Sequence, residues 1–343
     1  MMEKSAAHRR ATRWERFKKN KRGYTSLRIF VVLFVLSLFS EFIANDRPLL
    51  VKFDGKYFFP VLKNYSELVF GGEFDINADY RDPYIINLID EKGWMLRAPI
   101  QFSYNTINYA LPSPAPSPPT WENLLGTDDR GRDVAARLLY GFRISVLFAL
   151  ALTVTSAFIG ITLGAMQGYF GGVFDILFQR FIEVWSGMPS LFMLIILSSV
   201  VEPNFWWLLG ITLLFSWMNL VSVTRAEFLR ARNFEYVLAA RAMGMGHSRI
   251  MFVHMLPNAM TSALSYVPFM LGGSITMLTS LDFLGFGLPS GSPSLGELLA
   301  QGKANLHAPW LGVSAFMILA VSLSLLVFTG EAARDAFDPR KSP

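Results

Sequence analysis

Four histidines, His8, His247, His254 and His307, are the side chains best suited to metal or proton chemistry, and their spacing serves neither. His247 and His254 stand seven positions apart, whereas a zinc pair on a helix needs an i,i+4 step. No Gly-x-Ser-x-Gly elbow offers a nucleophile. GELLAQGKA at 296–304 comes nearest to a phosphate-binding loop, but five residues separate its glycines instead of four. Ala304 also stands where a hydroxyl must meet magnesium. The chain is therefore read as no enzyme, with no catalytic residue, no metal centre and no ATP hydrolysis of its own. It has no cysteine, which excludes disulfides and thiolate chemistry. Two acids remain, Glu183 and Asp282, each near one end of an apolar run. A charge in lipid must face protein or water. Asp175 and Arg180 flank Glu183 and could pair locally.

The elements carrying these residues are read as membrane helices. Of 343 residues 52% are hydrophobic and 17% charged, and mean hydropathy is +0.36. A helix needs roughly 20 apolar residues to cross a bilayer. Six runs meet that length, at 26–44, 144–166, 181–201, 205–224, 259–281 and 309–329. The fold class expected is an all-α polytopic membrane protein of six spans. No small-x-small cleavage site precedes Asn45, so the first run is kept as a helix rather than a signal peptide.

Orientation follows from the basic residues beside the helix ends. The tail 1–25 carries Lys4, Arg9, Arg10, Arg13, Arg16, Lys18, Lys19, Lys21 and Arg22 against only Glu3 and Glu15. Beside a membrane helix such a tail reads as a topology signal, not as a nucleic-acid site. Counting onward places 167–180, 225–258 and 331–343 on the same cytoplasmic side, and these hold most of the other basic residues. Both termini are thus expected inside.

One outer segment, 45–140, is too long for a connector, and its aromatics among charges could bury a small core. It passes through LPSPAPSPPT at 111–120, read as a stiff polyproline spacer. From Asp133 a short amphipathic helix is expected to lead into the second span. That span has glycine at 160, 164, 168 and 172. Gly160 and Gly164 are assigned to close helix packing, and the helix is expected to break from Gly168 onward, where Gly171-Gly172 forms a turn. Pro189, and Pro268 with Gly272-Gly273, predict kinks or loosened turns.

Between these spans lies EYVLAARAMGMGHSRIMFVHMLPNAM, from Glu235 to Met260. It reads as two short helices. Tyr236, Ala239, Ala240 and Met243 share a thin face of the first by helical spacing. Gly244-Met245-Gly246 makes a sharp turn. His247, Ile250, Met251 and His254 line the second helix, and Pro257 marks a boundary before the fifth span. A lipid-lying hairpin would carry Leu or Phe where the alanines stand. The thin, Met-bearing face suits a groove on another protein.

Ala239-Ala240-x3-Gly244, followed by Leu256-Pro257, resembles the cytoplasmic EAA loop of ABC importer permeases. In that family the loop forms coupling helices that dock into a cleft on the ATP-binding subunits. Leu238 occupies the family's glutamate position. LGTDDRGRDVAARLLYGFRISVLF at 125–148, YVLAARAMG, HMLPN, DFLGFG at 282–287 and RDAFDPR at 334–340 narrow the resemblance to the peptide branch. Asp282 stands where that branch usually has Ser. FIEVWSGMP, EPNFWWLL and the long outer segment are most similar to the Yej-type permease for oligopeptides and the peptide-nucleotide antibiotic microcin C.

The resemblance implies a MetI-like bundle in a bacterial inner membrane, with the long insertion periplasmic. It implies a second permease subunit, two ATP-binding domains and a periplasmic peptide-binding protein as partners, with ATP and magnesium held by the ATPase subunits alone. It assigns ATPase contact to Tyr236, Ala239, Ala240, Met243, Gly244, His247, Ile250, His254, Leu256 and Pro257. It leaves 45–140 as the candidate for touching the binding protein. A dipeptide or nickel permease is the neighbouring reading within the class. An ion channel or proton-coupled carrier would want acids deep in several spans, whereas Glu183 and Asp282 lie near ends.

Overall fold

The computed structural model describes residues 14–202 and 204–337. The tail's Lys4, Arg9, Arg10 and Arg13 and the ending beyond Phe337 lie outside them. The helices are α1 Lys21–Leu38, α2 Pro83–Lys92, α3 Val134–Phe170, α4 Gly172–Ser186, α5 Ser190–Ser198, α6 Phe205–Ala231, α7 Glu235–Ala242, α8 His247–Phe283, α9 Leu295–Ala304 and α10 Pro309–Phe337. Four of them, α3, α6, α8 and α10, are long and apolar enough to cross a membrane. The pair α4 and α5 makes a fifth if it crosses as one broken span. The 18-residue α1 carries Lys21, Arg22 and Arg28. The chain is a mostly helical, polytopic membrane protein.

Helix α3 runs through the centre, against α6, α8 and α1, and α10 closes the bundle over α8, α1 and α9. Asp133 caps its first turn by accepting from the Ala136 N–H at 2.8 Å. No separate amphipathic helix precedes the span, because the pattern from Val134 runs unbroken into it. At 37 residues α3 is about 55 Å long.

Its glycine stripe lies along α6. A Cβ on Gly160 would stand 2.4 Å from the Trp217 carbonyl oxygen, and one on Gly164 2.7 Å from that of Val221. The helix breaks at the expected Gly171-Gly172 turn, where φ is 64° and 60°, but Gly168 itself stays helical, and a Cβ there would meet the Arg225 carbonyl oxygen at 2.6 Å. Glycines at 160, 164 and 168 thus face carbonyls at 217, 221 and 225, one turn apart on both helices. Backbone-to-backbone approach of this kind replaces the hydrophobic drive that lipid cannot provide. Gly164→Leu has no space to occupy and is expected to separate α3 from α6. The loss of folded, monodisperse protein on size exclusion, against an unchanged Gly210→Ala control in open space, checks it.

Pro189 falls between α4 and α5, which bend by 70°. Pro268 does not break α8, which runs continuously through it. The boundary expected at Pro257 is also absent, since the hairpin's second helix and the following span are one 37-residue helix.

The insert between α1 and α3 corrects the all-α expectation. Strands β1 Leu50–Phe53, β2 Lys56–Phe58 and β3 Gly93–Leu96 form an antiparallel sheet in the order β2-β1-β3. Asp54 at φ 47° and Gly55 at φ 74° supply the two left-handed residues of a tight hairpin turn. Val51, Phe53, Phe70, Tyr80, Ile85 and Ile89 bury a small core against α2. The Pro-rich stretch is tied down rather than standing off as a spacer. Ser117 N–H donates to Thr127 Oγ1 and its carbonyl accepts from Thr127 N–H, both at 2.9 Å.

A buried charge network joins insert, α3 and α9. Arg137, with no exposed side-chain surface, donates to Glu297 Oε2 at 2.8 Å, the Ser292 carbonyl at 2.9 Å and the Tyr104 carbonyl at 3.2 Å. Arg132 pairs with Asp128 at 2.6 Å and Glu297 at 3.1 Å. Burial pushes the Asp133 carboxyl up, opposed by the hydrogen bonds from Asn123 and the α3 backbone. GELLAQGKA, the near miss for a phosphate loop, is α9 itself, capped by Ser294.

Candidate coupling site

The hairpin of α7 and the first turns of α8 is built by two local devices. The first is the end of α7. Gly244 N–H donates to the Arg241 carbonyl at 2.9 Å and Met245 N–H to that of Ala240 at 3.1 Å. This paired closure requires a left-handed residue at Gly244, whose φ is +72°. Gly246 sits at φ −64°, so only one of the two glycines is conformationally required. The second device is a π turn over Ile250–Met255. It lies just before Pro257, which has no N–H to give the carbonyl four residues back. Widening the helix there lets it pass the proline unbroken.

The structure divides the residues expected on one face. Val237, Ala240, Ile250, Met251 and Met255 turn inward onto Ala165, Tyr169 and Phe228. Ala240 and Ile250 are therefore buried and support the hairpin from within. Tyr236, Ala239 and Met243 are exposed, as are Gly244, His247 and Pro257. Leu238, in the glutamate position, is half exposed, and Phe234 stands beside Tyr236. Leu256 and His254 are half-buried. The outward surface is thus Phe234, Tyr236, Leu238, Ala239 and Met243, more apolar than the thin alanine face the spacing suggested.

Sequence reasoning missed what holds the hairpin to the bundle. Tyr169, at the end of α3, shares a hydrogen bond with His247 Nδ1 at 2.8 Å, while Arg241 lies 4.9 Å above its ring. Phe170 also packs against His247. Nearby, Arg225 grips Asp175 through Nε at 2.5 Å and Nη2 at 2.7 Å, tying α6 to α4. Asp175 therefore pairs across helices, not locally with Arg180, which pairs with Glu183. Asp282 accepts from Leu288 N–H at 2.7 Å and Ser294 Oγ at 2.5 Å, closing the loop into α9. Glu183 is thus held by an exposed ion pair and Asp282 by two hydrogen bonds. His247 and His254 are not brought together on a metal, and among the described residues no group of three potential ligands converges.

What the site offers is an exposed apolar ridge on a braced, glycine-closed hairpin. It can receive a rigid partner and pass its displacement into α3 and α8.

The chain resembles several known proteins. It is 62% identical over 330 residues to the "Inner membrane ABC transporter permease protein YejE" of Escherichia coli (strain K12), covering 96% of this chain and 97% of that one. The "Peptidoglycan transport system permease protein YejE" of Agrobacterium fabrum is 54% identical, over 96% and 93%. The "Oligopeptide transport system permease protein OppC" of Lactococcus lactis subsp. cremoris is 34% identical, over 66% and 78%. Residues 10–56 match the "N-terminal TM domain of oligopeptide transport permease C". Residues 160–343, which include the whole hairpin, match the "Binding-protein-dependent transport system inner membrane component", and the chain belongs to that family of ABC permeases.

Proposed function

We propose that this chain is a permease subunit of an ATP-driven importer of oligopeptides and peptide-like compounds, and that its hairpin is the coupling element. The near-full-length 62% identity to an inner-membrane ABC permease carries the reading. Its partners are a second permease subunit, two ATP-binding domains that hold ATP and magnesium, and a periplasmic peptide-binding protein. The chain crosses the inner membrane six times, with α1 and the bent pair α4–α5 completing the four long helices. Both termini and the loop 225–258 are cytoplasmic. The insert 45–140 is periplasmic and is the surface offered to the binding protein. The resemblance to the Yej-type branch adds microcin C to the substrates.

In mechanism, closure of the ATPase pair draws the ridge inward. Tyr169 and the Ile250–Met255 core carry that displacement into α3 and α8, and the pathway opens outward. Nucleotide shifts this equilibrium only by binding one conformation better than the other. Hydrolysis restores the inward state.

The test is co-purification of the tagged chain from membranes, followed by ATPase assay. Wild type is expected to bring down a second permease and ATPase subunits. Leu238→Asp with Met243→Asp, both exposed and free of the hairpin core, is expected to lose the ATPase subunits about tenfold while keeping the second permease. A wild-type chain that arrives alone overturns the reading.

A further inference from the structure

Within the spans, a cavity of about 430 Å³ lies between the α4–α5 break, the loosened turn of α6 near Trp217, and the middle of α8. Met188 and Ser190 border it at the break, Asn219 on α6, and Gly273, Ser274 and Met277 on α8. Pro189 bends the chain by 70° there, so the wall is irregular backbone at membrane depth. Such backbone survives in lipid only where protein or water meets it.

Four polar side chains on this wall, Ser190, Asn219, Tyr266 and Ser274, make no hydrogen bond to a described residue. Ser274 is 7% exposed and its hydroxyl bonds no described residue. The Asn219 side chain is exposed and its amide likewise bonds none. Their neighbours behave otherwise: Thr212 bonds back to the Leu208 carbonyl at 2.7 Å, and Ser216 bonds Ser156 at 2.5 Å. An amide and a hydroxyl each offer both a donor and an acceptor, as a peptide main chain demands. Met188, Met218, Met270 and Met277 join Leu152, Phe215 and Phe269 in the apolar lining, and their flexible thioethers adjust to side chains of many shapes. Gly273 has no described atom within 4 Å of where a Cβ would stand, which keeps the opening clear.

We infer that this cavity is a holding station for the peptide in transit, with Asn219 and Ser274 bonding its main chain and the methionines accepting its side chains without choosing among them. The inference rests on the peptide-import reading. The occupant is a short peptide recognised by its amide groups, not by its sequence.

The experiment uses the transporter purified with its ATPase subunits and reconstituted into proteoliposomes, with radiolabelled tri-alanine as probe. Asn219→Leu keeps the branching at Cγ while removing the amide, and is expected to cut uptake about tenfold, as one peptide group left without its partner requires. Gly273→Leu fills open space in a helix and is expected to block uptake while the thermal midpoint stays unchanged. A tripeptide carrying benzoylphenylalanine is expected to photolabel Met188, Met218 or Met277. Wild-type uptake with both variants equally active, or labelling only outside the cavity, overturns the inference and leaves the importer reading standing. Wild-type liposomes that take up no peptide overturn both. If Gly273→Leu disturbs subunit assembly, Asn219→Leu and the label decide.

Discussion

Gly244→Pro is expected to abolish peptide-stimulated ATPase activity and uptake while the membrane bundle remains folded. Proline holds φ near −65°, and Gly244 requires +72°. The substitution also removes the N–H that bonds the Arg241 carbonyl at 2.9 Å. A proline in such a place costs about 3 kcal/mol, roughly a hundredfold in the population of the closed hairpin. Gly244→Ala keeps the N–H and meets only the left-handed penalty of about 1–2 kcal/mol, so it is expected to retain part of the activity. Gly246→Ala, at φ −64°, is expected to behave as wild type. The series is read by uptake and stimulated ATPase rate in proteoliposomes, with size exclusion reporting the bundle. Equal activity across the three variants would show that the hairpin's closure is not needed for coupling.

Arg137→Met is expected to produce the largest loss of stability in the chain. The guanidinium is wholly buried among Glu297, Asp128 and two carbonyls. Removing it leaves two carboxylates, at least partly shielded from water, to share Arg132 as their one remaining guanidinium partner in the network. Breaking a buried pair in this way costs about 3–5 kcal/mol. Arg137→Lys is expected to recover only part, because one ammonium cannot reach acceptors spread around a planar fork. Adding Glu297→Gln to Arg137→Met relieves one stranded charge and is expected to restore part of the loss. The thermal midpoint of the full chain in detergent reads all three. A fall in Arg137→Met no larger than that of an exposed pair, about 1 kcal/mol or less, would mean that water reaches the network.

The helical spans were legible because apolar runs of bilayer length admit few other structures. Gly160 and Gly164 were legible as packing residues because their spacing matches a helix turn. Gly168 was misassigned because a glycine ends a helix only where its backbone leaves helical angles, and here the carbonyl of Arg225 lies against it instead. The sheet in the insert carried a readable signal, Asp54-Gly55 between alternating apolar residues, which the charge-rich surroundings masked. In the hairpin, periodicity identified the helices but not which side of α7 faces inward. That choice belongs to Tyr169 and Phe228, distant in sequence, onto which Ala240 and Val237 pack. The role of Arg137 was hidden for the same reason, since its main partner Glu297 lies 160 positions away.

The length of α3 gives a mechanical consequence. Its glycine stripe binds it to α6 over several turns, so the two bend little independently and act as one beam. One end is clamped to the hairpin through Tyr169, and the other enters the Arg137 network beneath the insert. Over about 55 Å, a tilt of about 10° swings the far end by about 10 Å. A stiff beam multiplies a small stroke by its length and cannot absorb it. The buried charges at its insert-side end would then serve as a bearing, strong enough to hold while the load changes direction.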